Sequence, residues 1–321
     1  MCQDEVLIRE SFHIPSRGHF SFFGVFDGHG GRNAAIFTRD HLFEYLRAEL
    51  ESGADLGEAL TRAYLKTDQQ FIAACRGHTN NHLTPAHAAI PAPIPAPVAA
   101  SSNNLPPTTT NIANSSTLLP APTPHRRQQS ANLAVKIPIT SLPPQASQSR
   151  STSAIVGHPD LSEKDTSGTT AVSVLIHHES YQMVVANCGD SRAVLAGSNG
   201  SVISLTNDHK ADRPDEVDRI RRAGGFVVHK RVMGELAISR AIGDMDFKET
   251  GFLFVLADPE LCTHQLTEKD EFVLLACDGI YDVMSNEQVR KEIHAIKISG
   301  HGFVLIQNFI ICLLCTMSFF F

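Results

Sequence analysis

Two apolar segments that each end in an Asp-Gly pair constrain the fold of this chain more than any other feature. The first is FFGVFDGHGG at residues 22–31, and the second is FVLLACDGIYD at residues 272–282. In each, an extended segment leads to a carboxylate, and a Gly then lets the backbone turn with its carbonyl free. Such oxygens are the ligands that Mg²⁺ and Mn²⁺ prefer. We therefore expect Asp27 and Asp278 to converge on one metal centre.

Composition excludes several classes of protein. The chain has 321 residues and a formal net charge of −7, so bulk electrostatics do not indicate nucleic-acid binding. Seven scattered cysteines form no disulfide framework and indicate a reducing compartment. The first residues, MCQDEVLIRE, lack the pattern of a signal peptide. We therefore expect the protein in the cytoplasm, the nucleus or both.

The pattern divides the chain into four stretches. Residues 1–76 are predicted to be ordered, with a strand over Phe20–Phe26 and helices over 30–50 and 55–75. Residues 77–164 are predicted to be a disordered insertion. Their first 83 residues (77–159) contain no Asp or Glu, and they hold most of the chain's prolines. A basic HRRQQS segment at 125–130 is either a phosphorylation or docking motif or part of a solvated linker.

Order is predicted to return over residues 165–298. SGTTAVSVLI, YQMVVANCGD and SRAVLAG, over 167–197, predict three consecutive strands of an antiparallel meander. A helix is predicted over 213–225 and a strand over 271–277. Ser285 and Gln288 have the spacing of a capping box for one more helix.

Seven motifs occur in one order along these stretches: VFDGHGG, SGTTA, ANCGDSRAVL, NDHKADRPDEVDRI, GGFV, LAISRAIGD and ACDGIYDVM. Together they resemble the metal-dependent serine/threonine protein phosphatases of type 2C, and the resemblance covers about residues 20–76 and 165–290. It implies an α+β fold in which two antiparallel β-sheets form a sandwich flanked by helices, a four-layer α-β-β-α arrangement that is incomplete here. The metal centre would lie at one end of the sandwich.

The resemblance also implies a set of metal ligands. Asp27 would bridge two Mg²⁺ or Mn²⁺ ions, the Gly28 carbonyl would bind one of them, and Asp278 would bind from the other strand. Asp4 matches a further acidic position. A water that bridges the two ions would attack phosphorus.

Other residues have implied roles near the site. His29 would be the general acid that protonates the leaving Ser or Thr oxygen. Asp190 and Asp282 match positions of a weaker third ion, with hydrogen bonding inside turns as the alternative. Asp244 would hold a loop near the site, and Cys188 and Cys277 are expected in the core. Basic residues in a flap at 205–240, Lys210 among them, either help to select phosphopeptides or form a solvated face.

The chain departs from the family pattern near both ends. A phosphate-gripping Arg expected before Met1 is absent, and Gln3 stands where the family has Glu. No Asp follows Asp282, so a ligand from a later Asp-Asn motif is missing. Fewer carboxylates should weaken ion binding.

The apolar tail over 299–321 lies outside the family pattern. Residues 303–321 have about the length of a bilayer span, for which roughly 20 apolar residues are needed. We favour truncation or a misread gene product as the explanation over a membrane tail anchor or a segment of the core.

The sequence thus predicts a metal-dependent phosphatase that acts on phosphoserine and phosphothreonine in proteins. The rival hypothesis is a catalytically impaired fragment that binds proteins or phosphoproteins. A phosphatase for small molecules is a third hypothesis. The sequence indicates neither the specific substrate nor the oligomeric state.

Overall fold

The computed structural model describes residues 3–77, 165–248, 253–298 and 311–313. Its strands are β1 (Glu5–Ile14), β2 (Gly18–Phe26), β3 (Gly28–His29), β4 (Gly168–Thr169), β5 (Ala171–His177), β6 (Gln182–Cys188), β7 (Arg192–Gly197), β8 (Val202–Ser204), β9 (Val227–Val228), β10 (Arg231–Val232), β11 (Ile242–Gly243), β12 (Glu260–Gln265), β13 (Asp270–Ala276) and β14 (Ile311–Leu313). Its α-helices are α1 (Asn33–Glu51), α2 (Leu56–Gly77), α3 (Pro214–Arg222), α4 (Asp278–Tyr281) and α5 (Asn286–Ile298).

Two antiparallel sheets form the centre of the fold. One has five strands in the order β1-β2-β5-β6-β12, and the other has four in the order β14-β13-β7-β8. A small sheet, β11-β4-β3, and a hairpin, β9-β10, complete the described topology. The antiparallel sheets of the predicted fold class are confirmed.

Alternation along β2 shows how the five-stranded sheet is covered on both faces. Phe22 lies in a cluster with Leu42 and Leu46 of α1, whereas Phe23 belongs to a cluster with Leu195 of β7. Successive residues of a strand point to opposite faces, so one face packs on helices and the other on the second sheet. The buried hydroxyl of Tyr64 in α2 bonds Ser173 of β5 at 2.8 Å and ties the helix to the sheet.

The same alternation in β13 completes the layers. Val273 joins the cluster between the sheets, and Leu274 joins a cluster with Val289 and Ile293 of α5. The order of layers is therefore helices, five-stranded sheet, four-stranded sheet and helix, as the fold class predicted.

The predicted three-strand meander over 167–197 is wrong in its last strand. β5 and β6 pair in the five-stranded sheet, but β7 pairs with β13 and β8 in the other sheet. The chain changes sheets at Gly189, whose φ of +117° is strained for any residue with a side chain. This backbone conformation turns the chain away from β6, and no hairpin forms.

Most predicted helices are confirmed with small shifts of their ends. α2 begins beside Asp55, whose carboxylate accepts a hydrogen bond from the Gly57 amide at 3.0 Å. The capping box is present: the Gln288 side chain accepts from the Ser285 amide at 2.7 Å, and the Ser285 hydroxyl accepts from the Gln288 amide at 3.3 Å.

The two edge strands of the five-stranded sheet had no counterpart in the sequence interpretation. β1 is the edge of the five-stranded sheet beside β2, and β12 is the opposite edge beside β6. In the tail, Ile311–Leu313 pairs with β13. Among the described residues, none of the helices combines the length and hydrophobicity that a membrane span requires. Residues 78–164 of the insertion predicted over 77–164, its basic segment at 125–130 and the rest of the tail lie outside the described residues, and the predicted domain boundaries stay a prediction.

Candidate metal centre

Four acidic residues reach one end of the sandwich from separate parts of the chain. Asp27 directly follows β2 of the five-stranded sheet, and Asp278 opens α4 just after β13 of the four-stranded sheet. Asp190 lies in the turn where the chain changes sheets, and Asp4 precedes β1. The expected convergence of distant Asp-Gly turns therefore has a structural basis, because β2 and β13 belong to sheets that face each other.

Asp27 lies at the centre of this group. One ligand atom each of Asp4, Asp27 and Cys277 lie within 4.8 Å of one another. Burial, the hydrogen bond and charge of Asp4, and the charges of Asp278 and Asp190 together raise the pKa of Asp27 to about 8. Such crowding means that the carboxyls repel one another unless a cation or a proton lies among them.

Asp190 and Asp278 share a basic neighbour. The Lys210 Nζ lies 2.5 Å from Asp190 Oδ2 and 3.9 Å from Asp278 Oδ2. Burial lowers the pKa of Lys210, but the hydrogen bond and charge of Asp190 outweigh this and raise it. Burial and the charge of Asp190 raise the pKa of Asp278 despite this lysine. We call Asp4, Asp27, Asp190 and Asp278 the acid cluster.

The donor set of the acid cluster fits a hard divalent ion. Its ligand atoms are carboxylate oxygens, which Mg²⁺ and Mn²⁺ prefer to sulfur. Cys277 is the soft donor nearby, but burial and the charges of Asp4 and Asp27 raise the pKa of its thiol far above the neutral range. The other donors of the set are all carboxylate oxygens, which suit Mg²⁺ and Mn²⁺ better than zinc. As the sequence predicted, Cys188 and Cys277 are both buried.

His29 is held by Asp244. The His29 Nε2 lies 2.9 Å from both carboxylate oxygens of Asp244, which is buried. Burial lowers the pKa of His29, but the hydrogen bond and charge of Asp244 and the charges of Asp27 and Asp190 outweigh it, so the pKa is raised. The raised pKa favours the imidazolium form, which can donate a proton.

Gly168, in the SGTTA motif, makes this contact possible. A Cβ at this position would collide with the Asp244 carboxylate and the His29 ring. β4 pairs with both β3 and β11, so it brings His29 beside Gly243 and Asp244. The role of Asp244 as a loop anchor is thus more specific than the sequence suggested, because its carboxylate orients the histidine.

Asp68 of α2 anchors the backbone beside Asp244. Its Oδ1 accepts hydrogen bonds from the Gly243 amide at 2.8 Å and from Lys248 Nζ at 2.6 Å. Asp244 itself has a φ of +52°, a conformation that neighbouring contacts must hold in place. The sequence interpretation missed Asp68, since an Asp on a polar helix face carries no signal of its own.

Two further predicted residues lie around the cluster. With its amide assigned by hydrogen bonding, the Gln3 side chain donates to the Gly28 carbonyl at 2.9 Å and to the Gly31 carbonyl at 3.1 Å. Asp282 lies one turn after Asp278 and donates its amide to the Asp278 carbonyl at 2.8 Å. Asp282 also lines an open cavity of about 460 Å³ with Arg192, Tyr281 and residues 283–287.

The fold and the site together define a class of protein: α+β sandwiches with a cluster of carboxylates, suited to divalent metal ions, at one end. The sequence model of the family described as protein phosphatase 2C matches residues 124–297. The chain belongs to the protein phosphatase 2C family, whose members depend on Mg²⁺ or Mn²⁺.

Plant proteins are among its relatives. "Probable protein phosphatase 2C 11" of Oryza sativa subsp. japonica is 34% identical over 285 residues, which cover 85% of this chain and 66% of the relative. "Protein phosphatase 2C 3" of Arabidopsis thaliana is 51% identical over 126 residues, or 38% of this chain and 27% of the relative. The chain spans less than two thirds of the length of these curated relatives.

Solved structures support the fold. A serine-threonine phosphatase 2C from Toxoplasma gondii matches with a TM-score of 0.56 and 19% identity, over 93% of this chain and 84% of that chain. A sex-determining protein of C. elegans matches with a TM-score of 0.59 and 20% identity, over 92% of this chain and 53% of that chain. At these identities the likeness concerns the fold alone.

Proposed function

We propose that this chain hydrolyses phosphoserine and phosphothreonine esters in proteins with the help of two divalent ions held by the acid cluster. The observation that carries the proposal is the crowding of Asp27, Asp4, Asp190 and Asp278 at the end of both sheets, which raises the pKa of Asp27 to about 8. Carboxylates packed without matching cations are costly, and divalent ions relieve that cost.

In this proposal the residues have distinct tasks. Asp27, Asp278 and the Gly28 carbonyl would hold the ions, with Asp4 beside Asp27, and Asp190 and Asp282 would hold a third, weaker one. Bound ions of this kind lower the pKa of a water and neutralise charge on phosphoryl oxygens. His29 would donate its proton to the departing Ser or Thr oxygen, and Asp244 would orient the imidazole for that transfer.

Phosphate release tests the proposal directly. The purified chain, freed of metal with EDTA and then given millimolar Mn²⁺, should release phosphate from a phosphothreonine peptide. Asp27→Asn should abolish turnover while preserving the fold by circular dichroism, because the amide has the same shape but no charge. Equal and negligible release by both folded proteins would refute a catalytic function.

A binding function is the second candidate, and one observation favours it. The neutral Gln3 amide donates to the Gly28 carbonyl, the oxygen proposed as a metal ligand. A chain impaired in this way would bind phosphoproteins without turnover. Retention of a phosphothreonine peptide in EDTA, with no phosphate release in Mn²⁺, would identify this function.

Phosphoprotein substrates are the partners that this proposal requires. We also propose a location in the cytoplasm, the nucleus or both, supported by Cys75, Cys188, Cys262 and Cys277, which are free thiols. Fractionation of cells that express a tagged full-length chain tests this location, and recovery with membranes would instead favour a tail anchor.

A further inference from the structure

Asp190 is a buried carboxylate whose charge is matched by a lysine. Its exposed fraction is 6%, and the Lys210 Nζ lies 2.5 Å from its Oδ2. Leaving a buried carboxylate unpaired is costly, so this ion pair stabilises the metal-free protein. The same ammonium reaches toward Asp278, at 3.9 Å from its Oδ2.

The backbone around Lys210 is fixed to the turn that carries Asp190. The His209 amide donates to the Gly189 carbonyl at 2.9 Å, and Lys210 forms an isolated antiparallel bridge with Ile238. The side chain of Lys210 nevertheless has an exposed fraction of 38%. A fixed backbone with a partly exposed side chain gives a tethered cation that can leave Asp190 without disturbing the fold.

Asp190, the nearer partner of Lys210, is also one of the two carboxylates proposed for the weaker ion. A Mg²⁺ ion lies about 2.1 Å from its carboxylate ligands, so an ion and the ammonium contend for the same Asp190 oxygen. They also repel each other, because both are positively charged.

We propose that Lys210 is an internal competitor of this ion: its ammonium occupies the Asp190 carboxylate and must withdraw before an ion binds that carboxylate. The inference rests on the proposed function, since it concerns the same acid cluster. It assigns to Lys210 a regulatory role, in which the lysine sets the ion concentration at which the weaker site fills while leaving Asp27 free to hold its own ions.

Mn²⁺ titration of the full chain tests the inference without any substrate. Isothermal titration calorimetry, with free Mn²⁺ counted by electron paramagnetic resonance, gives the number of bound ions and their dissociation constants. In Lys210→Gln, the weakest dissociation constant should fall by about tenfold or more, because a hydrogen bond between charged groups is worth one to two orders of magnitude in an equilibrium constant. Lys210→Arg keeps the charge and should stay within about threefold of the wild type, since a hydrogen-bonded guanidinium still opposes the ion.

Lys230→Gln is the matched control. Lys230 carries the same charge, pairs with Asp212 at 3.3 Å and has an exposed fraction of 81%. This substitution changes the net charge equally and should leave every dissociation constant unchanged. Equal weakest constants in wild type, Lys210→Gln and Lys230→Gln would overturn the inference.

A chemical measurement on the wild type avoids any dependence on folding of the variants. Saturating Mn²⁺ should raise the rate of Lys210 acetylation by acetic anhydride, followed by mass spectrometry, because the ammonium leaves its carboxylate, while Lys230 keeps its rate. An unchanged Lys210 rate would contradict the inference. Phosphatase activity with an unchanged weakest Mn²⁺ dissociation constant and an unchanged Lys210 acetylation rate would refute the inference alone. Changes in these two quantities without phosphate release would refute the proposed catalysis alone. Absence of all Mn²⁺ binding would overturn both.

Discussion

Replacing Asp27 by Asn should stabilise the metal-free protein at neutral pH, although it removes the central residue of the acid cluster. The pKa of Asp27 is about 8 in the folded chain, against an ordinary value of 3.8. The native state therefore binds a proton that the unfolded state releases. The stability that this proton contributes is complete below pH 4 and is lost as the pH rises toward 8.

The size of the effect follows from this difference. A full proton of difference changes the free energy of unfolding by about 1.4 kcal/mol per pH unit, so the ceiling from pH 5 to pH 7 is about 3 kcal/mol. Asp27 is partly exposed, and solvent screening reduces the expected change to about 1 to 2 kcal/mol. Asn has no proton to lose, so the free energy of unfolding of the variant does not include this decrease with rising pH.

Urea unfolding in EDTA at pH 5, 6 and 7, followed by circular dichroism, measures the effect. The wild type should lose stability over this range faster than Asp27→Asn, and the two curves should draw together at the acidic end. Histidines remote from the site contribute equally to both proteins and cancel in the difference, whereas His29, whose pKa the charge of Asp27 helps to raise, does not. Parallel curves for the two proteins would refute the reasoning that crowded carboxyls hold a proton at this site.

Three further outcomes are expected. Asp244→Asn should lower the pKa of His29 in the metal-free protein, because the amide brings no negative charge; an unchanged value in an NMR titration of the ring would count against their coupling. Gln3→Glu should lower the free energy of unfolding in EDTA by about 1 kcal/mol, since a carboxylate cannot donate to the Gly28 carbonyl, and should tighten Mn²⁺ binding in calorimetry. Equal Mn²⁺ affinity would contradict the second expectation. Tyr64→Phe should cost about 1 to 2 kcal/mol in urea unfolding, because it removes a fully buried hydroxyl hydrogen-bonded to the sheet at 2.8 Å; a neutral result would show that this bond contributes nothing net.

The parts of the fold that the sequence predicted are those governed by local pattern. The apolar run over Phe20–Phe26 marked a strand, and the spacing of Ser285 and Gln288 marked a helix start. β1 escaped because its register shifts between Arg9 and Phe12, which breaks the period of two.

Features that depend on tertiary structure could not be read in this way. The GDS segment after β6 has the composition of a hairpin turn, and only the sheet that receives β7 decides where the chain goes. Likewise, the sequence did not distinguish Lys210 from the other basic residues of the flap, because the fold decides whether its ammonium contacts solvent or Asp190. The roles of the acidic residues as metal ligands stay predictions.

The acid cluster has a mechanical consequence. Asp27 leaves one sheet and Asp278 leaves the other, so an ion shared by the two would act as a clasp across the mouth of the sandwich. Removal of divalent ions would then do more than stop catalysis, because the two sheets would also separate more easily at the end where the ions bind. Limited proteolysis with and without Mn²⁺ would reveal such loosening, so ion binding between Asp27 and Asp278 could be followed without any phosphorylated substrate.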